Sequence, residues 1–500
     1  MRILGLPSLL SLSLAFASNF ALCGNAAAAE PAWQIRHVTV IPADTDEVLP
    51  DRSVLIRNGH IEAIVADDGR DSAKGVQVID GRGKYLIPGL VDAHVHIATE
   101  GEIRGNADPA LSALPLDEGH AYDLQILTTF LKAGVTAVAN LGGSERSDDD
   151  LLWLRDEIVA GRLVGPTLIV GKRINGPHAE VSKDRHEVPA STQKHPTTAA
   201  DGIAAVDAAR TRGYDFIKPY QHLNRETYQA IVDEAHKVGF VTTGHLPELE
   251  CDVCVDRDAA FAHSMDNIAH AEELGRYGLQ SNLASEDLES LAEIVARQGM
   301  SVTPTLITQK TIVHMYVDRK VPSPPAGWLA LVDPVTKRDW YGEGNRYLSQ
   351  KFREQGGAEL FPAIYDFSRV LTRELWKRGV PLTVGTDAPM PGLAFGVSVH
   401  QEMFELRQVG LPPIEVLRTA SINAHRLFRN PHGTGAVRSG EVADLVLLEA
   451  DPVADIHNIS RISGVFVRGR WMSMAEIDRL LSTSLRANVR LSKRLKRTTK

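Results

Sequence analysis

Leu86-Ile87-Pro88-Gly89-Leu90-Val91-Asp92-Ala93-His94-Val95-His96 is the stretch on which the fold turns. A strand sends successive side chains to opposite faces, so His94 and His96 point the same way and can grip one metal ion together. Val91, Ala93 and Val95 then point the other way. One histidine after an apolar run would read as a core residue; two at a spacing of two favour metal ligation.

Downstream of this strand, short apolar runs alternate with helical patterns, the signature of parallel β with crossover helices. The runs are Val135 to Asn140, Thr167 to Val170, Asp215 to Lys218, Phe240 to His245, Asn267 to His270, Ser301 to Thr305 and Pro381 to Asp387. With the His94 strand they make eight, the number that closes a (β/α)8 TIM-like barrel. Helices fill the gaps. One is capped by Asn224, carries Tyr228, Ile231, Val232 and Ala235 on one face and stops at Gly239; another runs from Asp148 to Gly161. Between Thr308 and Phe361 the pattern loosens around Pro322, Pro324, Pro325 and Gly356-Gly357, which predicts an insertion over the barrel mouth.

Upstream, Gln34 to Val40, Ser53 to Ile56 and His60 to Ile64 alternate apolar and polar residues around turns such as Arg57-Asn58-Gly59, as in a small antiparallel sheet. The pattern returns in Asp444 to Leu448 and Ile462 to Arg470. The expected α/β architecture is therefore a barrel over 86–429 with a small β-sandwich domain built from both chain ends, 30–85 and 430–475, and a basic C-terminal helix or tail over 476–500.

Composition fits a globular, soluble chain: 43% hydrophobic, 23% charged and a formal net charge of -9, which argues against a nucleic-acid partner because phosphates require a basic face. Only Arg486 to Lys500 is strongly basic, as expected of a solvated tail. Residues 1–29 resemble a signal peptide: Met1-Arg2, an apolar run from Leu4 to Ala21, then Ala26 to Ala29 for cleavage. Pro7, several serines and Asn19 break that run, so no stable membrane span is expected. The expected location is periplasmic or secreted. There the remaining pair, Cys251 and Cys254, reads as a small structural disulfide rather than a zinc or redox site.

Lys218, His245, His270 and Asp387 stand at or near the C-terminal ends of four predicted strands, where barrel enzymes build their sites. Taken singly, each has an ordinary structural role. Together with His94 and His96 they form one constellation.

That ordered set resembles the amidohydrolase superfamily, in its imidazolonepropionase- and prolidase-like branch. The resemblance is carried by Pro88 to His96, Asp215 to Lys218, Gly244-His245-Leu246-Pro247, Ile268-Ala269-His270 and Gly385-Thr386-Asp387. It extends through Gly433-Thr434-Gly435, Gly440 to Val446 and Asp451-Pro452. It implies two divalent metal ions, zinc as first expectation: His94, His96 and Asp387 on one, His245 and His270 on the other, with a carboxylated Lys218 bridging both. An ammonium cannot ligate a cation, whereas a carbamate offers two oxygens to two metals. The implied reaction is hydrolysis of an amide or peptide C–N bond by hydroxide bridging the metals, with Asp387 as general base and then general acid.

The expected substrate is a small molecule: Xaa-Pro or another dipeptide, or an N-acyl amino acid. Substrate contacts are expected from His178, Tyr220, His222 and Arg173, the last a partner for a carboxylate. Two alternatives stay open: lactone or phosphotriester hydrolysis on the same site, and a barrel that binds without turnover. A homo-oligomer is compatible with the chain.

Overall fold

Gly89 splits the opening stretch between two sheets. The structure is a computed structural model that describes residues 32–70, 72–99, 120–177, 195–247, 261, 263–278, 285–342, 345–349, 357–430 and 433–498. The expected signal peptide, Cys251, Cys254 and His178 lie outside the described residues. The first sheet comprises β1 (Ala32–Val40), β2 (Leu49–Arg57), β3 (His60–Ala66), β4 (Val76–Asp80) and β5 (Tyr85–Pro88). Leu90 then begins the barrel strands: β6 (Leu90–Val95), β7 (Val135–Asn140), β8 (Thr167–Ile174), β9 (Phe216–Pro219), β10 (Val241–Gly244), β11 (Asn267–Ala269) and β12 (Ser301–Thr303). The chain returns to the first sheet with β13 (Leu445–Leu448), β14 (Ile462–Val467) and β15 (Arg470–Ser473). At the crossing, Gly89 N donates to Asp444 O and Leu90 N to Gly134 O. A Cβ on Gly89 would lie 2.0 Å from Thr136 Oγ1, so only glycine lets the two sheets join here.

The order of the first sheet is β15-β14-β13-β5-β1-β2-β3, with β4 also pairing β1. Both chain ends build it. It is mixed, however, not purely antiparallel: β1 runs parallel to β4 and to β5. Its core, including Ile35, Val54, Ile61, Leu445 and Phe466, is separate from that of the barrel.

The barrel strands pair in parallel from β6 to β12. The predicted eighth run closes the ring without forming a regular ladder. On one side Thr383 N donates to Val302 O; on the other Ala93 N donates to Val384 O, and Thr386 N and Asp387 N both donate to His94 O. Close packing explains the irregularity: a Cβ on Gly385 would stand 2.4 Å from Thr303 Cγ2 and 2.7 Å from His94 Cβ.

The strict alternation expected around His94 is not kept, because the β6–β7 register slips between Asp92 and Val95. Val91 and Ala93 join Ala137, Ala139, Ile169, Phe216, Val241 and Ala269 in one cluster. A cluster that takes residues from six consecutive strands fills the lumen beneath the site. Val95 instead joins the large core packed under the helices.

Helices follow the expected logic. Asn224 caps Arg225–Lys237 by accepting from Thr227 N, and Tyr228, Ile231, Val232 and Ala235 are buried on one face. The helix expected from Asp148 starts earlier, at Glu145, because Ser144 supplies the cap. The C-terminal segment Met474–Thr498 is a helix rather than an extended tail; it buries Ile477 and Leu481, and Lys132 Nζ pairs with Asp478 Oδ1 at 2.6 Å. Among the described residues no helix is long and apolar enough to cross a membrane.

Candidate active site

β6 ends where β9, β10, β11 and the closing strand end, and their terminal side chains meet. His94 Nε2 lies 3.3 Å from His96 Nε2, and each lies 3.4 Å from Asp387 Oδ1. Lys218 Nζ is 3.4 Å from His96 Nε2. The His270 ring centroid is 4.5 Å from that of His94 and 4.9 Å from that of His245. Six side chains spread from position 94 to position 387 thus share one small volume.

The donor set fits a metal ion on its own chemistry. His96 Nδ1 sits 2.8 Å from Gly142 O, and a carbonyl only accepts, so Nδ1 carries the hydrogen and Nε2 presents its lone pair. Burial, and then the nearby Lys218, hold both His94 and His96 well below the usual imidazole range, so both are neutral at pH 7. Three ligand atoms of His94, His96 and Asp387 fall within 4.8 Å of one another. Separations of 3.3 and 3.4 Å correspond to the edge, about 3.4 Å, of a tetrahedron of nitrogen and oxygen donors around zinc. They are also too long for good hydrogen bonds to the carboxylate.

Lys218 is 1% exposed, and burial pushes its ammonium down to about 7. Its Nζ stands 4.8 Å from the Tyr220 ring centroid, and the opposing guanidinium is that of Arg173, 5.4 Å from the same centroid. Tyr220 also stacks edge-on against His245 at 4.4 Å. Of the expected substrate contacts, Tyr220 and Arg173 are therefore in the site. His222 stands at the rim on a turn with φ 59, its carbonyl against Gly176 of the loop after β8.

Several supporting residues escaped the sequence. Asp92 is fully buried and ties β6 to the closing strand: Thr386 Oγ1 donates to its Oδ2 at 2.7 Å, and Thr386 N and His94 N donate to its Oδ1. Burial raises its pKa to about 7 against these bonds. Its signal was legible, an acid inside the apolar run Leu90-Val91-Asp92. Thr305 Oγ1 lies 2.7 Å from His270 Nδ1, and Glu273 Oε1 lies 3.4 Å from His245 Nδ1. Asp148 accepts from Gly143 N at 3.0 Å and so steadies the loop whose Gly142 carbonyl orients His96.

His270, Thr305 and Asp387 all have positive φ, at 75, 49 and 52, and such backbone persists only where the surroundings over-determine it. Here they do: the buried Glu402 accepts from Leu306 N and Ile307 N, pinning the helix start that follows Thr305. Thr305→Val keeps the shape and removes the hydroxyl. It should lower metal affinity or kcat/KM by about 10- to 100-fold with little change in melting temperature, measured by metal titration and initial rates. Unchanged affinity and rate would show that the Thr305–His270 contact is only packing.

Residues 85–472 match the amidohydrolase family, and the chain belongs to it. It is accordingly a hydrolase acting on carbon–nitrogen bonds, in a metal-dependent superfamily. It is similar to the imidazolonepropionases of Brevibacillus brevis and Cupriavidus necator. The first is 24% identical, covering 84% of this chain and 92% of the relative; the second is 23% identical, covering 86% and 92%. The adenine deaminase of Ruegeria pomeroyi is 41% identical, over 73 residues that cover 14% of this chain and 12% of that protein. Among solved structures the fold is shared with a Xaa-Pro dipeptidase bound to methionine: TM-score 0.63, 20% identity, 88% of this chain and all of that one. It is shared also with the bottromycin amidohydrolase: TM-score 0.65, 24% identity, 91% of this chain and 90% of that one.

Proposed function

We propose that the protein is an exported binuclear metallo-amidohydrolase that cleaves the C–N bond of a dipeptide or an N-acyl amino acid. The observation that carries this is the convergence of His94 Nε2, His96 Nε2 and Asp387 Oδ1 at 3.3 to 3.4 Å, beside a buried Lys218 whose ammonium is pushed down to about 7. His94, His96 and Asp387 would hold one divalent ion, His245 and His270 a second, and a carboxylated Lys218 would be shared, with zinc the first candidate. Divalent ions bound there would supply an acidified water and a polarised carbonyl.

The chain's own groups do the rest. Asp387 takes the proton of the attacking water and returns it to the leaving nitrogen. Thr305 and Glu273 orient His270 and His245, and Gly142 orients His96. Tyr220 forms the wall against which the substrate lies, and Arg173 beside it suits a substrate carboxylate, which dipeptides and N-acyl amino acids carry and neutral lactones and phosphotriesters lack. That guanidinium favours the amide substrates over the alternatives.

Chelation tests the metal requirement. Dialysis against a strong chelator should abolish hydrolysis of Xaa-Pro dipeptides and N-acyl amino acids, and should lower the melting temperature, since ions bound only to the folded state stabilise it by mass action. Zinc added back should restore both. A metal-free sample with full activity and an unshifted melting curve would sink the proposal.

A further inference from the structure

The helix Leu306–Asp318, which carries the chain from β12 into the insertion, begins without a cap of its own. Thr305 stands at the cap position, where a threonine hydroxyl ordinarily accepts from the second or third N–H of its helix. Here it makes no such bond. The residue lies in the left-handed region, φ 49 and ψ 43, and its Oγ1 is 2.7 Å from His270 Nδ1 instead. One hydroxyl is thus withheld from the helix and given to a histidine of the site.

The N–H groups it leaves behind are satisfied from a different helix, Val397–Gln408. The fully buried Glu402 accepts from Leu306 N at 3.0 Å through Oε1 and from Ile307 N at 2.7 Å through Oε2. That helix is itself fixed. Glu405, one turn on, accepts from Lys310 Nζ at 2.6 Å and from the Tyr365 hydroxyl at 2.6 Å, so it joins the helix entering the insertion to the one leaving it, Gly357–Lys377. His400 Nε2 donates to Ala133 O at 2.8 Å. Glu402 therefore reaches the Thr305 turn from a rigid base. The end of β11 is locked to the same turn, since His270 N donates to Thr303 O and Ala271 N to Pro304 O.

Resting on the assignment of His270 to a second ion above, we infer that Glu402 is a positioning residue. It caps the helix in place of Thr305, which leaves the Thr305 hydroxyl to accept the Nδ1 hydrogen of His270 and keeps Nε2 as the ligating nitrogen. The two tasks compete for one oxygen. With Glu402 removed, the unpaired buried N–H groups are the costlier need, and Thr305 turns back to its own helix.

The test is zinc titration of the metal-stripped full chain by calorimetry, with melting curves alongside. The wild type should take up two ions in two steps. Glu402→Gln, which keeps one acceptor oxygen, should weaken the second step about threefold, and Glu402→Met, which keeps none, about tenfold, the lower end of what partners of a ligand contribute. The first step, on His94, His96 and Asp387, should stay within about twofold in both. Asp444→Asn, which loses the carboxylate that accepts from Arg468 N in the first sheet, is the control: it should melt lower and leave both steps unchanged. The deciding variant combines Glu402→Met with Thr305→Val. Both changes remove the same Thr305–His270 bond, so the pair should bind the second ion no more weakly than Thr305→Val alone. A Glu402→Met chain that melts lower yet binds both ions as the wild type does would make Glu402 a purely structural acid. Equal weakening of both steps, losses that multiply in the double variant, or a second step that Thr305→Val does not touch would also overturn the inference. Should Glu402→Met fail to fold, Glu402→Gln carries the same cycle. If the wild type takes up a single ion, the two-ion reading falls and the cycle is read on that step: Thr305→Val and the double variant equally weakened would uphold the inference, and any other pattern would overturn it.

Discussion

Replacing Asp387 with Asn is expected to lower kcat by about 10³-fold or more, within the range that a lost general acid–base group costs. The amide keeps the shape of the carboxylate and cannot carry a proton between the water and the leaving nitrogen. Its backbone holds still, because Asp387 N donates to His94 O and the neighbouring Thr386 is tied twice to Asp92. His94 and His96 remain to grip an ion, so metal content by mass spectrometry should change little, and the melting temperature should stay near that of the wild type. Rate and metal content thus separate two roles that one residue is proposed to hold. A variant with activity within tenfold of the wild type would remove Asp387 from proton transfer, and one that lost its metal along with its activity would leave ligation as its main task.

The site was legible in the sequence because its residues stand at strand ends, and strand ends follow from local pattern. Lys218 closes Phe216-Ile217, and His270 closes Ile268-Ala269, so counting runs was enough to place them on one rim. What stayed hidden depends on contacts between distant segments. Gly89 in Pro88-Gly89-Leu90 gave no sign that it passes the chain from one sheet to another, because the reason is the closeness of Thr136, forty-seven positions away. The closing strand looked regular in Pro381 to Asp387, and is bent by Thr303 and His94 crowding Gly385. Thr305 sits in no motif; it matters through what faces it, His270. The placement of the insertion was readable from its loosened pattern, but its fastening to Pro389 and Met390 was not.

Lys218 carries the second large effect, and it follows from burial. At pH 8 a lysine of ordinary pKa is neutral in only about one molecule in three hundred, whereas one pushed down to about 7 is neutral in about nine in ten. Only the neutral amine attacks dissolved CO₂: Nζ forms a bond to the carbon, and one N–H proton passes to water. The burial that makes the ammonium costly therefore makes the carbamate accessible. Protein stripped of metal at pH 6 under CO₂-free nitrogen should regain little activity with zinc alone and most of it with zinc and bicarbonate. Reactivation should be slow at pH 6, where Lys218 is mostly protonated, and should quicken toward pH 8 as the proton leaves. ¹³C-labelled bicarbonate should give a carbamate carbon signal that is absent from Lys218→Met. That variant should lose at least about 100-fold in kcat/KM, with partial recovery in millimolar acetate, whose carboxylate can occupy part of the space the side chain leaves. Reactivation that ignores bicarbonate, together with a Lys218→Met variant that retains its rate, would reduce Lys218 to a buried amine beside Tyr220 and leave the two pairs of histidines with no shared ligand.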